Sequence, residues 1–133
     1  MLGSKTVLIV DDSGYAALDL SEAIEESDGR VSGPVSTLSE TFTILDSTPI
    51  SGAIVNCELA HAFDVVMLLT ERGVPVVAQI SASLPHGLGP MSESLSVLVR
   101  PVDPLTILET LMIEIGRSEM RASNTLACRP KQV

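Results

Sequence analysis

The sequence predicts an α/β fold in which a five-stranded parallel sheet carries helices on both faces. The first observation is that short apolar runs alternate with longer segments of helical periodicity along most of the chain. The second is that these runs are rich in Val, Ile and Leu, which is typical of strands buried on both faces. A length of 133 residues with 45% hydrophobic residues suits one globular domain.

Five apolar runs are predicted to form the strands. They comprise residues 7–10, 31–35, 50–55, 75–80 and 95–99. The second run contains Gly33 and Pro34, which make it the weakest of the strand patterns. Because proline cannot donate a backbone hydrogen bond, it suits the end of a strand or the edge of a sheet.

Four segments have the periodicity of amphipathic helices. The first begins at an N-cap in Asp12–Ser13, the second at Thr37 or Ser39, the third spans 62–71, and the last begins at Asp103–Pro104. Their predicted inward faces are Ala16, Ala17, Leu20, Ala23 and Ile24; Leu38, Phe42 and Leu45; Phe63, Val66, Met67 and Thr70; and Leu105, Leu108, Leu111, Met112 and Ile115.

The segment 81–93 interrupts the alternation where a further helix is expected. It contains two prolines and two glycines, so we predict a loop with at most one short turn. The resulting layout is a flavodoxin-like (βα)5 three-layer sandwich with strand order 2-1-3-4-5, whose fourth helix is short or replaced by a loop. We assign residues 1–116 to this domain, and residues 117–133 to an extension of the last helix followed by a basic tail.

Charge and cysteine usage exclude several classes of function. The net charge is −9, divided into −12 over residues 1–116 and +3 over residues 117–133. An acidic body repels phosphates, so we do not expect direct binding to nucleic acid. We expect no signal peptide, because the first apolar run has only four residues, 7–10, and no apolar run of the sequence could cross a bilayer. Cys57 and Cys128 show no metal or redox spacing. We therefore expect a cytoplasmic protein that is not associated with a membrane.

Polar side chains follow four of the predicted strands. They are Asp11 and Asp12, Asn56 with Glu58, Ser81, and Arg100. In a parallel α/β sheet, ligands and chemistry gather at this carboxyl edge, near the point where the strand order reverses. The sequence therefore places its candidate site there.

With the apolar runs before them, these residues give the sequence a resemblance to the receiver domains of two-component response regulators. Four blocks carry the resemblance: residues 7–12, 53–59, 73–77 and 99–104. It spans roughly residues 5–116, and the order and spacing of all four blocks make it fairly specific. It implies a role in bacterial two-component or phosphorelay signalling.

The resemblance also implies a role for each site position. In the family an acidic pair helps to hold Mg²⁺, an aspartate accepts the phosphoryl group, a Thr or Ser bonds that group, and a lysine before a proline contacts it. The matching positions here are, in the same order, Asp11 and Asp12, Asn56, Ile80 followed by Ser81, and Arg100 followed by Pro101. Glu58 stands where the family offers a backbone carbonyl to the metal.

Three of these positions depart from the family pattern. The carboxamide oxygen of Asn56 is a poor nucleophile, so no acyl phosphate is expected there. Ile80 has no hydroxyl to bond a phosphoryl group. Arg100 replaces the lysine, and its guanidinium suits a bidentate pair with an aspartate in place of the metal.

The lost carboxylate also weakens the predicted metal site. Mg²⁺ favours anionic oxygen ligands, and this site has one negative charge fewer than the family's usual set. We expect no cofactor, or a weakly bound Mg²⁺ held by Asp11, Asp12 and Glu58.

These features predict a stand-alone receiver-like signalling domain that acts without phosphorylation, by binding another protein. The expected partners are a histidine kinase, another response regulator or an output protein, and a homodimer is possible. Two alternatives stay open: a conventional Mg²⁺-dependent phosphoacceptor with an altered site, and a small-molecule or anion sensor that uses Arg100 and Ser81. No nucleophile–base pair is visible, so we do not expect an enzyme.

Overall fold

The structure is a computed structural model that describes residues 2–81 and 95–128, with side chains described as far as residue 121. Within these residues the elements are β1 (Thr6–Val10), α1 (Gly14–Glu26), β2 (Arg30–Val35), α2 (Leu38–Ser47), β3 (Gly52–Asn56), α3 (Ala62–Glu71), β4 (Val76–Ile80), β5 (Leu95–Val99) and α4 (Pro104–Cys128). Ser81 follows β4, and the rest of the predicted loop over 81–93 lies outside the described residues.

The five strands form one parallel sheet in the order β2-β1-β3-β4-β5, which confirms the predicted topology. β2, with its Gly33-Pro34 sequence, lies at one edge as predicted. α4 continues past residue 116 to Cys128. No helix in the described part of the chain combines the length and apolar character needed to span a membrane.

Two aliphatic cores cover the two faces of the sheet. Successive residues of β1 alternate between them, because side chains along a strand point to opposite faces. Leu8 and Val10 pack with α2 and α3, whereas Val7 and Ile9 pack with α1 and α4. The three aromatic residues of the chain all lie on the surface: Tyr15, Phe42 and Phe63 are 87%, 47% and 39% exposed.

The predicted inward faces of α2 and α3 were partly wrong. Leu38 and Phe42 of α2 are exposed, and the fully buried position is Thr41, whose hydroxyl donates to the Thr37 carbonyl at 2.9 Å. In α3, Phe63 and Met67 are exposed, and the buried residues are Ala62, Val65, Val66 and Leu69. In both helices the side chains that pack against the sheet are small or aliphatic, and the aromatic and Met side chains face outward.

The predicted stripe of α4 needs a similar correction. Leu105 is 55% exposed, while Ile107, which was not predicted, is buried with Leu108 and Leu111. Glu114 is also buried, 2% exposed. Its Oε1 accepts from the Ser96 hydroxyl at 2.8 Å and from Arg117 Nη1 at 3.2 Å, whereas its Oε2 has no hydrogen-bond partner among the described residues.

Gly33 allows β2 to lie close to β1, the strand that ends beside Asp11 of the candidate site. Its φ is +95°, and a Cβ there would stand 2.7 Å from the Ile9 carbonyl oxygen. Backbone atoms of a central strand cannot yield, so we expect Gly33→Ala to lower the free energy of unfolding by about 2–4 kcal/mol in urea titrations. Gly73→Ala is the control, because Gly73 has a φ of +74° with no atom within 4 Å of the added Cβ. Equal losses in the two variants would contradict a steric role for Gly33.

Candidate functional site

Three predicted site residues meet at the carboxyl edge of the sheet. Val10 of β1 pairs with Val55 of β3, so the residues that follow them, Asp11 and Asn56, lie side by side. Asn56 Nδ2 donates to Asp11 Oδ1 at 3.1 Å. From the far side, Arg100 Nη2 lies 3.4 Å from Asp11 Oδ2. The Asp11 side chain is 1% exposed and that of Arg100 is 29% exposed, so the carboxylate is enclosed while the guanidinium reaches solvent.

Asp11 has partners on both carboxylate oxygens. Besides the Asn56 amide, Oδ1 accepts from the backbone N–H of Ser13 at 2.9 Å. Ser13 is the N-cap of α1, and its side chain accepts from the Ala16 N–H at 3.4 Å. Asp11 therefore fixes the start of α1 to the ends of β1 and β3. The predicted ion pair of Arg100 with an aspartate is present, through one nitrogen and not in bidentate form.

Asn56 is held at both ends of its amide. Nδ2 donates to Asp11, and Oδ1 accepts from the backbone N–H of Glu58 at 2.9 Å. This position needs a donor on one side and an acceptor on the other. A carboxamide provides both, whereas an ionised carboxylate only accepts. Asparagine at position 56 therefore satisfies both neighbouring groups, Asp11 Oδ1 and the Glu58 N–H.

The sequence did not single out the backbone N–H groups of Ser13 and Glu58, although both belong to the site. The Ser13 N–H donates a hydrogen bond to the Asp11 side chain, and the Glu58 N–H donates one to the Asn56 side chain, in each case two residues earlier in the chain. This is the turn that Asp and Asn side chains form with their own backbone. The patterns Asp-x-Ser and Asn-x-Glu at strand ends were the available signal.

The side chains of the other predicted site residues form no hydrogen bond with Asp11, Asn56 or Arg100 in the described part of the chain. Ile80 is buried, and its carbonyl accepts from the Arg100 N–H at 2.8 Å. The residues that are exposed are Asp12, Glu58, Ser81 and Pro101. The peptide bond from Arg100 to Pro101 is cis.

The donor set does not fit a Mg²⁺ ion. Mg²⁺ needs several oxygen ligands in near-octahedral order. Among the described residues no three His, Cys, Asp or Glu side chains are grouped to hold a metal. Asp11 is already occupied by two N–H donors and a guanidinium, and Glu58 has its side chain on the surface. Arg100 supplies the positive charge that the enclosed carboxylate requires.

A groove of about 540 Å³ lies between α1 and the start of α4. It is lined by Asp19, Glu22, Ala23, Glu26, Ser27, Asp103, Pro104 and Leu105. Four carboxylates and no basic side chain line it, so the groove repels anions. It does not include Arg100 or Ser81, on which the anion-sensor alternative depends.

Cys57 follows Asn56 and is buried, 9% exposed. Burial raises the pKa of its thiol to about 11, with Glu58 acting in the same direction and Arg100 against it. Since the thiolate is the reactive form, alkylation of Cys57 by iodoacetamide at pH 8 should be about 100-fold slower than that of a thiol with a pKa of 9.0. The rate should rise as the pH approaches 11. Mass spectrometry of the natural protein and of Cys57→Ala separates this thiol from Cys128, and alkylation at the rate of free cysteine would contradict the shift.

Comparison with known proteins identifies the fold. No protein-family model matches the chain, and no curated protein matches it. Solved structures do match. A response regulator receiver protein from Sinorhizobium medicae has a TM-score of 0.74 and 15% identity, covering 89% of this chain and 99% of its own. A response regulator receiver domain protein from Methanospirillum hungatei has a TM-score of 0.75 and 16% identity, covering 88% and 98%.

A third similar structure is the signal receiver domain of a signal transduction histidine kinase from Syntrophus aciditrophicus. Its TM-score is 0.69 at 18% identity, covering 84% of this chain and 90% of its own. The flavodoxin-like α/β fold of this chain is therefore the fold of these receiver domains. The resemblance predicted from the sequence is confirmed at the level of the fold.

Proposed function

We propose that this chain is a cytoplasmic receiver-like domain of a bacterial two-component or phosphorelay pathway, and that it signals by binding another protein without being phosphorylated. It is not an enzyme in this proposal. The observation that carries it is the amide of Asn56, which bridges Asp11 and the Glu58 N–H at the phosphoacceptor position.

The chemistry of phosphoryl acceptance supports the proposal. An aspartyl phosphate forms when an ionised carboxylate oxygen attacks phosphorus. The side chain at this position offers a neutral amide oxygen, and that oxygen already accepts a hydrogen bond from Glu58. The neighbouring carboxylate, Asp11, is 1% exposed and paired with Arg100, so it is a poor substitute nucleophile.

The charge balance of the site supports it as well. A phosphorylated site needs a metal ion to neutralise its oxygens, and here Arg100 balances Asp11 instead. Ile80 has no hydroxyl and is buried, so nothing at that position can follow an added phosphoryl group. The hydrogen bonds and charge of Asp11 are therefore satisfied by Asn56 and Arg100, without a metal ion or a phosphoryl group.

The exposed aromatic residues support binding to another protein. Tyr15, Phe42 and Phe63 are all exposed although aromatic side chains are the largest apolar groups available to the core. Exposed aromatic residues are characteristic of protein–protein interfaces. The partner classes are those of the fold: a histidine kinase, another response regulator or an output protein.

The test is an amide NMR titration of the natural protein with Mg²⁺ and then beryllium fluoride, with a conventional receiver domain as positive control. Incubation with acetyl phosphate and intact-mass measurement run beside it. We expect no resonance shifts at Asp11, Asp12 and Arg100 and no phosphoryl adduct. Shifts that reach α4, or an adduct at the mass of one phosphoryl group, would show instead a working phosphoacceptor with an altered site.

A further inference from the structure

The acidic groove between α1 and the start of α4 has no basic side chain in its lining to balance its charge. Asp19, Glu22 and Glu26 lie on one face of α1, within an arc of about 100° and over about 10 Å of helix. Asp103 joins them just before α4. No salt bridge within the described residues includes any of these four carboxylates. Because carboxylates in one groove repel one another and attract cations, the groove is complementary to a positively charged ligand.

A smaller cavity of about 110 Å³ lies against the groove, deeper in the molecule. Asp19 and Pro104 line both cavities, so the two form one continuous cleft, which we call the α1–α4 cleft. The other residues that line the inner cavity are Ala16, Leu20, Gln79, Val102 and Ile107. All of these except Gln79 are apolar. An acidic mouth thus leads to an inner pocket with aliphatic walls.

Gln79 is the polar group of β4 that lines the inner pocket. It is 5% exposed, and Val77, on the same face of the strand, packs with α1 and α4. The backbone carbonyl of Gln79 accepts from the Cys57 N–H at 2.9 Å, whereas its side-chain amide forms no hydrogen bond with any described residue. Buried amides are almost always hydrogen-bonded, so this one is available to a polar group that enters the pocket.

The spacing of the carboxylates favours an extended organic cation over a metal ion. A metal ion needs several ligands that converge on one point. Among the residues that the structure describes, no three His, Cys, Asp or Glu side chains are grouped in that way, and those of the groove are spread along α1. Two or more positive charges joined by an apolar chain match this spread. Such a chain also matches the aliphatic walls of the inner pocket.

We propose that the α1–α4 cleft binds a linear aliphatic polyamine, a molecule whose ammonium groups are separated by methylene chains. One terminal ammonium passes Asp19 and donates to Gln79 Oε1, while the methylenes contact Leu20 and Pro104. A second ammonium lies in the groove beside Glu22. An ammonium has only donors and a methylene has none, so each group of the ligand meets its complement in the cleft.

The size of the inner pocket favours a polyamine over a basic segment of a protein. Its volume is that of about four water molecules, which suits the end of an unbranched chain. A polyamine places two charges in the cleft with one chain, whereas a lysine side chain carries only one. The lining of the cleft does not include Asp11, Asn56 or Arg100, so this inference goes beyond the proposed function and does not depend on it.

An amide NMR titration with 1,4-diaminobutane and with spermidine tests binding at low salt. We expect saturable shifts of the Gln79 side-chain amide and of α1 between Asp19 and Glu26, with a dissociation constant for spermidine below about 1 mM. Butylamine has the same carbon chain with one charge, and it should bind at least about 10-fold more weakly than 1,4-diaminobutane. Mg²⁺ at equal ionic strength should leave the Gln79 amide unshifted. Shifts that do not saturate, or equal binding of butylamine, overturn the proposal.

A lysine pentapeptide serves in the same titration as the probe for a protein segment. We expect it to bind more weakly than spermidine, because its backbone does not enter the inner pocket. If the pentapeptide binds and neither polyamine does, the cleft takes a protein segment and the proposal is overturned.

Asp19→Asn and Glu25→Gln form a matched pair of variants. Each removes one negative charge from an exposed position of α1, but Asp19 lines both cavities and Glu25 lines neither. Asp19→Asn should weaken spermidine binding at least about 5-fold, and Glu25→Gln should change it by less than about 2-fold. Circular dichroism confirms that both variants fold. Equal effects would show attraction by net charge alone and overturn the cleft as the site.

Gln79→Leu tests the inner pocket. Leucine is close to glutamine in size and apolar like the surrounding residues, so the variant should fold, and no side-chain hydrogen bond to a described residue is lost. It removes the acceptor for the terminal ammonium and should weaken 1,4-diaminobutane binding at least about 5-fold. Urea unfolding without ligand should show no loss of stability. Unchanged affinity of this variant for 1,4-diaminobutane overturns the proposal.

Discussion

Asn56→Asp should lower the free energy of unfolding by about 2–4 kcal/mol in metal-free buffer at neutral pH. The substitution replaces the amide nitrogen that donates to Asp11 Oδ1 at 3.1 Å by a carboxylate oxygen. The new carboxylate then faces the carboxylate of Asp11. Because the Asp11 side chain is only 1% exposed, water screens their repulsion poorly. Urea unfolding followed by circular dichroism measures the loss.

Mg²⁺ should recover much of this loss in the variant and leave the natural protein unchanged. The new carboxylate joins Asp11 and Asp12, which gives the anionic oxygens that Mg²⁺ prefers. Binding at a concentration 100 times the dissociation constant stabilises a folded state by about 2.7 kcal/mol. Equal stabilisation of both proteins by Mg²⁺ would mean that the natural site already holds the metal, contrary to the closed site described above.

Asn56→Ala is the control for this experiment. It removes both hydrogen bonds of the amide without adding a charge, so its loss should not respond to Mg²⁺. The deficit of Asn56→Asp should also shrink as the pH falls, because like charge raises the pKa of one member of a carboxylate pair. Protonation of that member ends the repulsion, so the variant regains stability below its raised pKa and loses it as the pH rises through that value.

Arg100→Ala should destabilise the protein by about 1–3 kcal/mol, because it leaves a buried carboxylate without its cation. The value is set below that for a fully buried ion pair, since the Arg100 side chain is 29% exposed and its Nη2 lies 3.4 Å from Asp11 Oδ2. Arg100→Lys keeps the charge and should recover at least half of the loss. Urea unfolding at low and at high salt measures both variants.

A double-mutant cycle with Asp11→Asn isolates the ion pair. If Arg100 acts by balancing the charge of Asp11, then Arg100→Ala should cost little once Asp11→Asn has removed that charge. Salt should reduce the effect only slightly, because the carboxylate is enclosed. The same loss in both backgrounds would show that Arg100 stabilises the loop before Pro101 by packing, and not by its charge.

The strands and their order could be predicted from the sequence because both follow from local and general rules. Aliphatic runs such as Val7–Val10 favour buried strands wherever they occur. Alternation with helices then implies parallel pairing and right-handed crossovers. Once the order was predicted, the meeting of Asp11, Asn56 and Arg100 at one edge also followed, since the carboxyl ends of parallel strands lie together.

The rotation of each helix against the sheet was decided only by the tertiary structure. Apolar residues cover much more than one face of α3 and α4, so periodicity alone does not fix which of them point inward. Phe63 and Leu105 were predicted to be buried and are exposed, whereas Glu114 is buried through its bond to Ser96 of β5. Ser96 and Glu114 are 18 residues apart in the chain, so the pattern of residues around either one does not reveal the hydrogen bond between them.

The sequence by itself determined the fold and the residue types of the site, including the neutral amide of Asn56 at the end of β3. The tertiary structure decided what those residue types do together. It turned the Asn56 amide nitrogen toward Asp11, set Arg100 against the other oxygen of that carboxylate, and left Glu58 on the surface. The physical reason is that a side chain takes the direction in which distant partners satisfy its hydrogen bonds and charge, and those partners are assembled only by the folded sheet.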